Sequence, residues 1–121
     1  MLTCQCSTNT AIYKHVSGSY TVVKKEKFND LSNDKILLTG LVSDGLTGNP
    51  LPYANITIVD ANLGISCDSL GNFKLLAPAG NFRLRASNVG NDDLQTRKMK
   101  FKAQMQVTLD FRLGTTLITC Q

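Results

Sequence analysis

Few side chains in this sequence are of the types that carry out chemistry. The chain has one histidine, His15, and four cysteines, Cys4, Cys6, Cys67 and Cys120. A Ser-His-Asp or Cys-His arrangement would have to use His15, which lies in the region with the weakest secondary-structure signals. We therefore expect His15 to be an exposed polar side chain and the protein to have no catalytic residues.

The cysteines are concentrated near the two ends of the chain. In an oxidising compartment Cys4 or Cys6 could form a disulfide with Cys120, which would contribute about 4 to 5 kcal/mol in the chain-entropy model. A metal site is not expected, because a C-x-C pair with one distant thiol lacks the C-x₂₋₄-C spacing of structural zinc sites. Leu2-Thr3-Cys4 also loosely resembles the residues around the lipid-modified cysteine of bacterial lipoproteins, although Thr3 stands where Gly, Ala or Ser is usual. Disulfide formation and lipidation of Cys4 both stay open.

Three aspartates adjoin turn signals. Asp44, Asp60 and Asp68 could suggest a calcium site, but a bond from each side chain to nearby backbone explains them better. The sequence has no P-loop, no G-x-G-x-x-G fingerprint and no H-E-x-x-H motif. We expect no metal and no cofactor.

Basic side chains alternate with apolar ones toward the C-terminal half. They could gather into one face for an anionic partner, formed by Arg83, Arg85, Lys98, Lys100, Lys102 and Arg112. The alternative is an ordinary solvated face whose charges deter edge pairing. The net charge is +4, there is no Trp, and aromatic residues make up 7%, so a nucleic-acid partner is not expected.

Length and composition predict one soluble globular domain. The chain has 121 residues, of which 42% are hydrophobic and 18% charged. No stretch approaches the roughly 20 apolar residues of a spanning helix. The opening MLTCQCSTNT lacks a basic start and a long apolar segment, so no complete signal peptide is expected in this chain.

From Ile36 onward, short alternating segments separated by turn signals predict strands. The turn residues are Asp44, Gly48, Pro50, Asp68, Gly71 and Gly80. The pattern predicts an all-β Greek-key β-sandwich of about seven strands. Residues 1–35 are interpreted as an N-terminal arm or extra strand with a linker, and residues 36–121 as the domain.

Several motifs, in order along the chain, resemble the carboxypeptidase regulatory-like family. They are residues 40–44 (GLVSD), 47–56 (TGNPLPYANI), 67–73 (CDSLGNF), 78–82 (PAGNF) and 84–90 (LRASNVG). The resemblance implies a transthyretin-like sandwich with a noncatalytic role in secreted, periplasmic or outer-membrane proteins, often preceding TonB-dependent receptors in Bacteroidetes. The chain departs from the family after Gly90, where Asn91-Asp92-Asp93 replaces the usual aromatic residue.

The resemblance implies an interaction or scaffold module of the cell envelope, accessory to a TonB-dependent receptor or a lipoprotein. Its expected location is periplasmic or outer-membrane-associated, and its expected partner is another envelope protein or a second copy of itself. The alternative is a carbohydrate-binding module, which normally needs exposed aromatic side chains. The three tyrosines that could serve are Tyr13, Tyr20 and Tyr53.

Overall fold

The computed structural model describes the backbone of residues 11–120 and the side chains of residues 15–116. Within this range the chain forms twelve strands and no helix. The strands are β1 (Ala11–Val16), β2 (Ser19–Lys27), β3 (Lys35–Asp44), β4 (Asn55–Ile58), β5 (Leu63–Ser66), β6 (Asn72–Pro78), β7 (Gly80–Phe82), β8 (Leu84–Ser87), β9 (Leu94–Gln95), β10 (Met99–Phe101), β11 (Met105–Leu113) and β12 (Thr115–Cys120). The described part of the chain thus offers no helix that could cross a bilayer.

The two main sheets have four strands each. The larger sheet, which has the longer strands, has the order β2-β11-β3-β6. Its central pair, β11 and β3, runs parallel, whereas β2 and β6 are antiparallel to their neighbours. Alternation along β11 turns Val107, Leu109 and Phe111 inward. On the opposite face the hydroxyls of Thr39 and Thr108 lie 2.9 Å apart, which joins the parallel pair across the outer surface.

The smaller sheet has the order β5-β4-β8-β9 and is antiparallel throughout. Its last two strands continue as the β7-β10 pair beyond a short irregular segment. Thr96 fills that irregularity, because its hydroxyl accepts a hydrogen bond from the Leu84 amide at 3.0 Å and its own amide donates to the Leu84 carbonyl. The buried Thr96 hydroxyl therefore has a hydrogen-bond partner, and the backbone amide and carbonyl of Leu84 are both bonded where the strand pairing is interrupted.

The core lies between the two sheets. Its largest fully buried side chains are Phe111, Ile36, Leu38, Ile56, Ile58, Leu84, Leu109, Leu113 and Val42. Phe111 contacts the rings of Tyr20 and Phe73, with centroids 6.3 and 6.0 Å away, so one aromatic group joins three strands of the larger sheet. Burial of each such side chain contributes about 1.5 to 3 kcal/mol.

The prediction of an all-β, transthyretin-like sandwich is confirmed. The expected number of about seven strands is smaller than the twelve observed, because Arg83 and residues 96–98 interrupt two long strands and residues 17–18 and 114 interrupt two others. One strand, β5, was not anticipated. Its sequence, LGIS, is four residues long and contains a glycine, so its alternation is too short to recognise.

The N-terminal region contributes two strands to the fold. β2 pairs with β11 as an outer strand of the larger sheet, and β1 pairs with β12 as a separate two-stranded ribbon. The ribbon continues the direction of the β2-β11 pair, with Val16 opposite Thr115 and Ser19 opposite Arg112. The division of the chain at residue 35 stays a prediction.

Candidate functional site

A cavity opens between the two layers of the sandwich beside β2. Its volume is about 250 Å³, and its lining residues are Lys25, Lys100, Phe101, Lys102, Met105 and Val107. We call it the lysine-rimmed cavity. Phe101 and Val107 are buried, so the cavity has an apolar floor, and three lysines contribute to its lining.

Two strands place the lysines around this cavity. Lys25 of β2 lies directly opposite Val107 of β11, so the two side chains project from the same face of the larger sheet. Lys100 belongs to β10, where Phe101 is held by a stack on Phe82 with ring centroids 4.4 Å apart. The apolar stack fixes β10, and the lysines beside it extend toward solvent.

The other basic residues of the predicted face lie elsewhere. Arg83 is bound to Asp60, with Nη2 2.7 Å from Oδ1 and its backbone amide donating to Oδ2 at 3.0 Å. These bonds from the Arg83 side chain and backbone lower the pKa of Asp60. The hydrogen bond to the Asp60 carboxylate raises the pKa of Arg83. Arg85, on β8, donates to Gln95 Oε1 at 3.2 Å. Lys98 is exposed in the segment between β9 and β10 and contributes to lowering the Asp60 pKa.

Arg112 lies near the opposite end of β11. Five residues of extended strand separate it from Val107, a distance of about 16 Å. It pairs with Ser19 of β2 and Ser43 of β3, and its side chain is exposed near Gly48. The six predicted residues therefore occupy separate parts of the surface, and only Lys100 and Lys102 line the cavity.

Five of the six predicted turn residues, all except Gly80, lie at two turns near the end of β3. Asp44 Oδ1 accepts hydrogen bonds from the amides of Leu46 at 2.7 Å and Thr47 at 3.3 Å. The Leu46 amide is the main cause of the lowered pKa of Asp44. Asp68 Oδ1 accepts in the same way from the amides of Leu70 and Asn72, both at 2.9 Å.

Two glycines and a proline complete these turns, and the third predicted glycine, Gly80, lies at the junction of β6 and β7. Gly48 and Gly71 both have a φ of +78°, and Gly80 has a φ of +148°, a region that L side chains rarely adopt. Pro50 forms an isolated bridge with Ser43, which closes the first turn. These residues shape the backbone and leave the aspartates occupied by local hydrogen bonds.

His15 lies in a polar group at the base of the ribbon. Its Nδ1 is 3.3 Å from Thr116 Oγ1 and 3.7 Å from Asp92 Oδ2, and the Thr116 hydroxyl donates to Asp92 at 3.4 Å. A catalytic triad needs the nucleophile and the carboxylate on different ring nitrogens, whereas here both face Nδ1. The group therefore connects the ribbon to the loop after β8 and has no triad geometry.

The cysteines fall into three situations. Cys4 and Cys6 lie outside the described residues. Cys120 belongs to β12, and its backbone lies opposite Ala11. Cys67 is buried with 2% exposure, and the loss of solvation raises the pKa of its thiol to about 11. Within the described residues, no group of three or more His, Cys, Asp or Glu side chains comes together as a metal site would require.

Lys25 is the site residue that sequence reasoning missed. It lies in the charged run Lys24 to Lys27, within the region interpreted as an N-terminal arm or extra strand with a linker. Its neighbours in the cavity come from residues 75 to 82 positions away in the chain, from Lys100 to Val107. The available signal was the strand propensity of residues 20–23 (YTVV), a strand that continues into the lysines.

Comparison with known proteins identifies the fold and the family. The chain is similar to the crystal structure of 3-chlorocatechol 1,2-dioxygenase from Rhodococcus opacus 1CP, with a TM-score of 0.51 and 13% identity over 89% of this chain and 74% of that one. At that identity the likeness shows a shared fold alone. No curated protein matches the chain significantly. The model of the CarboxypepD_reg-like domain family matches residues 38–119, which is more than half of the chain. The protein therefore belongs to the CarboxypepD_reg-like domain family, whose domain is a noncatalytic β-sandwich.

Proposed function

We propose that this protein is a noncatalytic interaction or scaffold module of the bacterial cell envelope, accessory to a TonB-dependent receptor or to a lipoprotein. The observation that carries the proposal is the outer strand β2. It is nine residues long, pairs along one edge with β11 and, among the described residues, has no strand on its other edge. Every β2 side chain except Tyr20 is exposed. A long open edge of this kind supports docking by strand addition.

Family membership supports the same function. A noncatalytic domain acts through its surface, and the chemistry-bearing groups of this one are engaged locally. Asp44 and Asp68 cap turns, Asp60 is paired with Arg83, and Cys67 is buried. Partner binding in the periplasm or at the outer membrane is consistent with two cysteines ahead of β1, which can serve a disulfide or a lipid anchor.

The test is photocrosslinking of the full gene product in its native host. A photoreactive amino acid replaces Val23 on β2, Leu63 on β5 or Val89 in the loop after β8, all of which are exposed. We expect a defined adduct from at least one position, in which the partner is an envelope protein, and recovery of the product in the envelope fraction. Recovery in the cytoplasm, or absence of an envelope adduct from all three positions, would contradict the proposal.

A carbohydrate-binding function is the second candidate, favoured by Tyr53. The Tyr53 side chain is 66% exposed. Its backbone has a φ of +59°, and the residue lies in the loop between β3 and β4. Tyr20, in contrast, packs on Phe111. A glycan array probed with wild type and Tyr53→Ala separates the candidates. A glycan signal lost in Tyr53→Ala supports sugar binding, whereas no signal for the wild type rules it out.

A further inference from the structure

The open edge of β2 and the lysine-rimmed cavity adjoin each other. Lys25 belongs to both, since it lies on β2 and lines the cavity with Lys100 and Lys102. A strand added to β2 would therefore pass the mouth of the cavity, and an inward-facing side chain of that strand could enter it.

The size of the cavity indicates what enters it. Its volume of about 250 Å³ is below the roughly 300–1,000 Å³ of pockets that enclose small molecules. One large apolar side chain fits such a space, and the buried side chains of Phe101 and Val107 offer it an apolar floor. The cavity suits an anchor residue of a protein segment better than a complete ligand.

The charge around the cavity indicates the rest of the partner. In the described part of the chain, Lys25, Lys100 and Lys102 form no ion pair, and no carboxylate lines the cavity. Lys24 and Lys27 add positive charge along the same strand, with Lys24 paired to Glu26 at 2.6 Å. Like charges would oppose pairing of β2 with the β2 of a second copy, whereas an acidic segment would be attracted.

We propose that β2 and the lysine-rimmed cavity bind an extended acidic segment of another protein, which adds to β2 as a strand and inserts one apolar side chain into the cavity. This deepens the proposed docking function and depends on it for its biological setting. Backbone hydrogen bonds to β2 supply affinity, while the anchor and its flanking carboxylates supply specificity.

The probe is a fluorescein-labelled peptide, Glu-Thr-Glu-Leu-Glu-Thr-Glu, titrated against the purified protein by fluorescence anisotropy. Three altered peptides test the three components separately. Glycine in place of leucine removes the anchor, glutamine in place of glutamate removes the charge, and N-methylation of alternate residues removes the strand hydrogen bonds. We expect each change to weaken binding by roughly tenfold or more, a free-energy change of about 1.4 kcal/mol.

Matched protein variants locate the site. Lys100→Glu lies in the cavity rim, whereas Lys98→Glu makes the same charge change two residues away, outside the cavity lining. Both side chains are exposed, so both variants should fold, which thermal unfolding checks. We expect Lys100→Glu to weaken binding roughly tenfold and Lys98→Glu by less than about twofold. Amide shifts in ¹⁵N NMR spectra should concentrate on β2.

Several results would overturn the proposal. They are no binding of the peptide, equal binding of the N-methylated peptide, equal loss with Lys98→Glu, or Lys100-dependent binding of heparin or phosphatidylglycerol vesicles in place of the peptide. If the peptide fails while an envelope adduct forms from Leu63 or Val89, the docking function stands and this site is wrong. If the peptide binds as expected but no envelope adduct forms, the envelope function is wrong.

Discussion

Two glycines at the turn end of the sandwich have the same φ of +78° but different surroundings. A Cβ on Gly71 would lie 2.6 Å from the Val42 carbonyl oxygen, whereas a Cβ on Gly48 would meet only Arg112 Nη2, at 3.9 Å. Alanine substitutions at these two positions therefore separate the free-energy cost of a left-handed backbone from the cost of a steric overlap.

We expect Gly48→Ala to lower the free energy of unfolding by about 1 kcal/mol, the cost of the left-handed conformation for an L residue. Gly71→Ala should lower it by about 3 kcal/mol, because overlap with the Val42 carbonyl adds to the same backbone strain. Urea unfolding of both variants measures the difference. Equal losses would show that the loop after β5 moves aside without cost.

Ionisation of Asp44 makes the free energy of unfolding depend on pH. Hydrogen bonds, first from the Leu46 amide, lower its pKa in the folded protein below the ordinary value of 3.8. The stability that the ionised Asp44 carboxylate contributes is therefore complete at pH values above 3.8 and is lost as the pH falls through the pKa of Asp44 in the folded protein.

In Asp44→Asn we expect the free energy of unfolding to fall less steeply with decreasing pH than in the wild type below about pH 4. The amide oxygen can still accept the Leu46 hydrogen bond, so the variant should fold. Asp30→Asn, with the same charge change in the segment between β2 and β3, is the control. Urea unfolding at a series of pH values is the measurement, and an unchanged slope in Asp44→Asn would contradict the assignment.

At the residue scale, local contacts were predictable and distant ones were not. The bonds of Asp44 and Asp68 reach amides two to four residues away, so turn chemistry in the sequence was enough to find them. The Asp60–Arg83 pair and the Lys25–Lys100–Lys102 rim join residues that only sheet order brings together. The basic side chains of the predicted face are exposed except that of Arg83, which is half-buried, and alternation could not give their positions relative to one another.

At the scale of elements, the open edge of β2 can pair with strands of other copies, which leads to aggregation, as well as with a binding partner. It has a register irregularity opposite Thr108 and Leu109, and lysines follow it. Both features protect an open edge, since a bulge twists the strand and lysine side chains lose solvation if another strand pairs there.

Replacing Lys24 with valine should therefore increase self-association, because it removes a charge from the open edge and adds a β-branched apolar side chain. Lys98→Val makes the same change outside any strand and is the control. Sedimentation velocity at increasing protein concentration would measure the effect. We expect larger species for Lys24→Val alone, and equal behaviour of the two variants would show that β2 is not the vulnerable edge.

Long alternating elements were the predictable part of the fold. β11 alternates over nine residues, β3 is a ten-residue segment with a run of three buried apolar residues, and the family motifs cover turns and the adjoining strand ends. β5 and β9 have four and two residues, too few for a period to show. Their pairing depends on β4 and β8 presenting a ladder, which is a property of the folded sheet.

At the scale of the whole molecule, the β1-β12 ribbon brings the two ends of the described chain together. Ala11 lies opposite Cys120, and Gly114 allows the close approach at the ribbon base, since a Cβ there would be 2.1 Å from the Val16 carbonyl oxygen. Cys6 precedes Ala11 by five residues in the sequence. This register is consistent with a disulfide from Cys4 or Cys6 to Cys120.

We expect protein produced under oxidising conditions to contain one disulfide to Cys120, found by peptide mass mapping without reduction. Cys67 should resist alkylation at pH 8 in the folded protein, because its thiol is buried and its pKa is about 11. Reduction should lower the free energy of unfolding by no more than about 4 to 5 kcal/mol. A lipid on Cys4 would leave Cys6 as the partner, whereas Cys120 found as a free thiol would contradict the prediction.

The parallel pairing of β3 with β11 also governs when the protein can fold. Thr39 and Thr108, which meet across this pair, are 69 residues apart in the sequence. The central ladder of the larger sheet therefore cannot form during synthesis until β11 has left the ribosome. Until then β3 has only β6 as a partner from its own sheet, and the part of the core that Val107, Leu109 and Phe111 of β11 supply is missing. Such a dependence on distant contacts favours slow folding and gives chaperones a long period in which to bind the nascent chain.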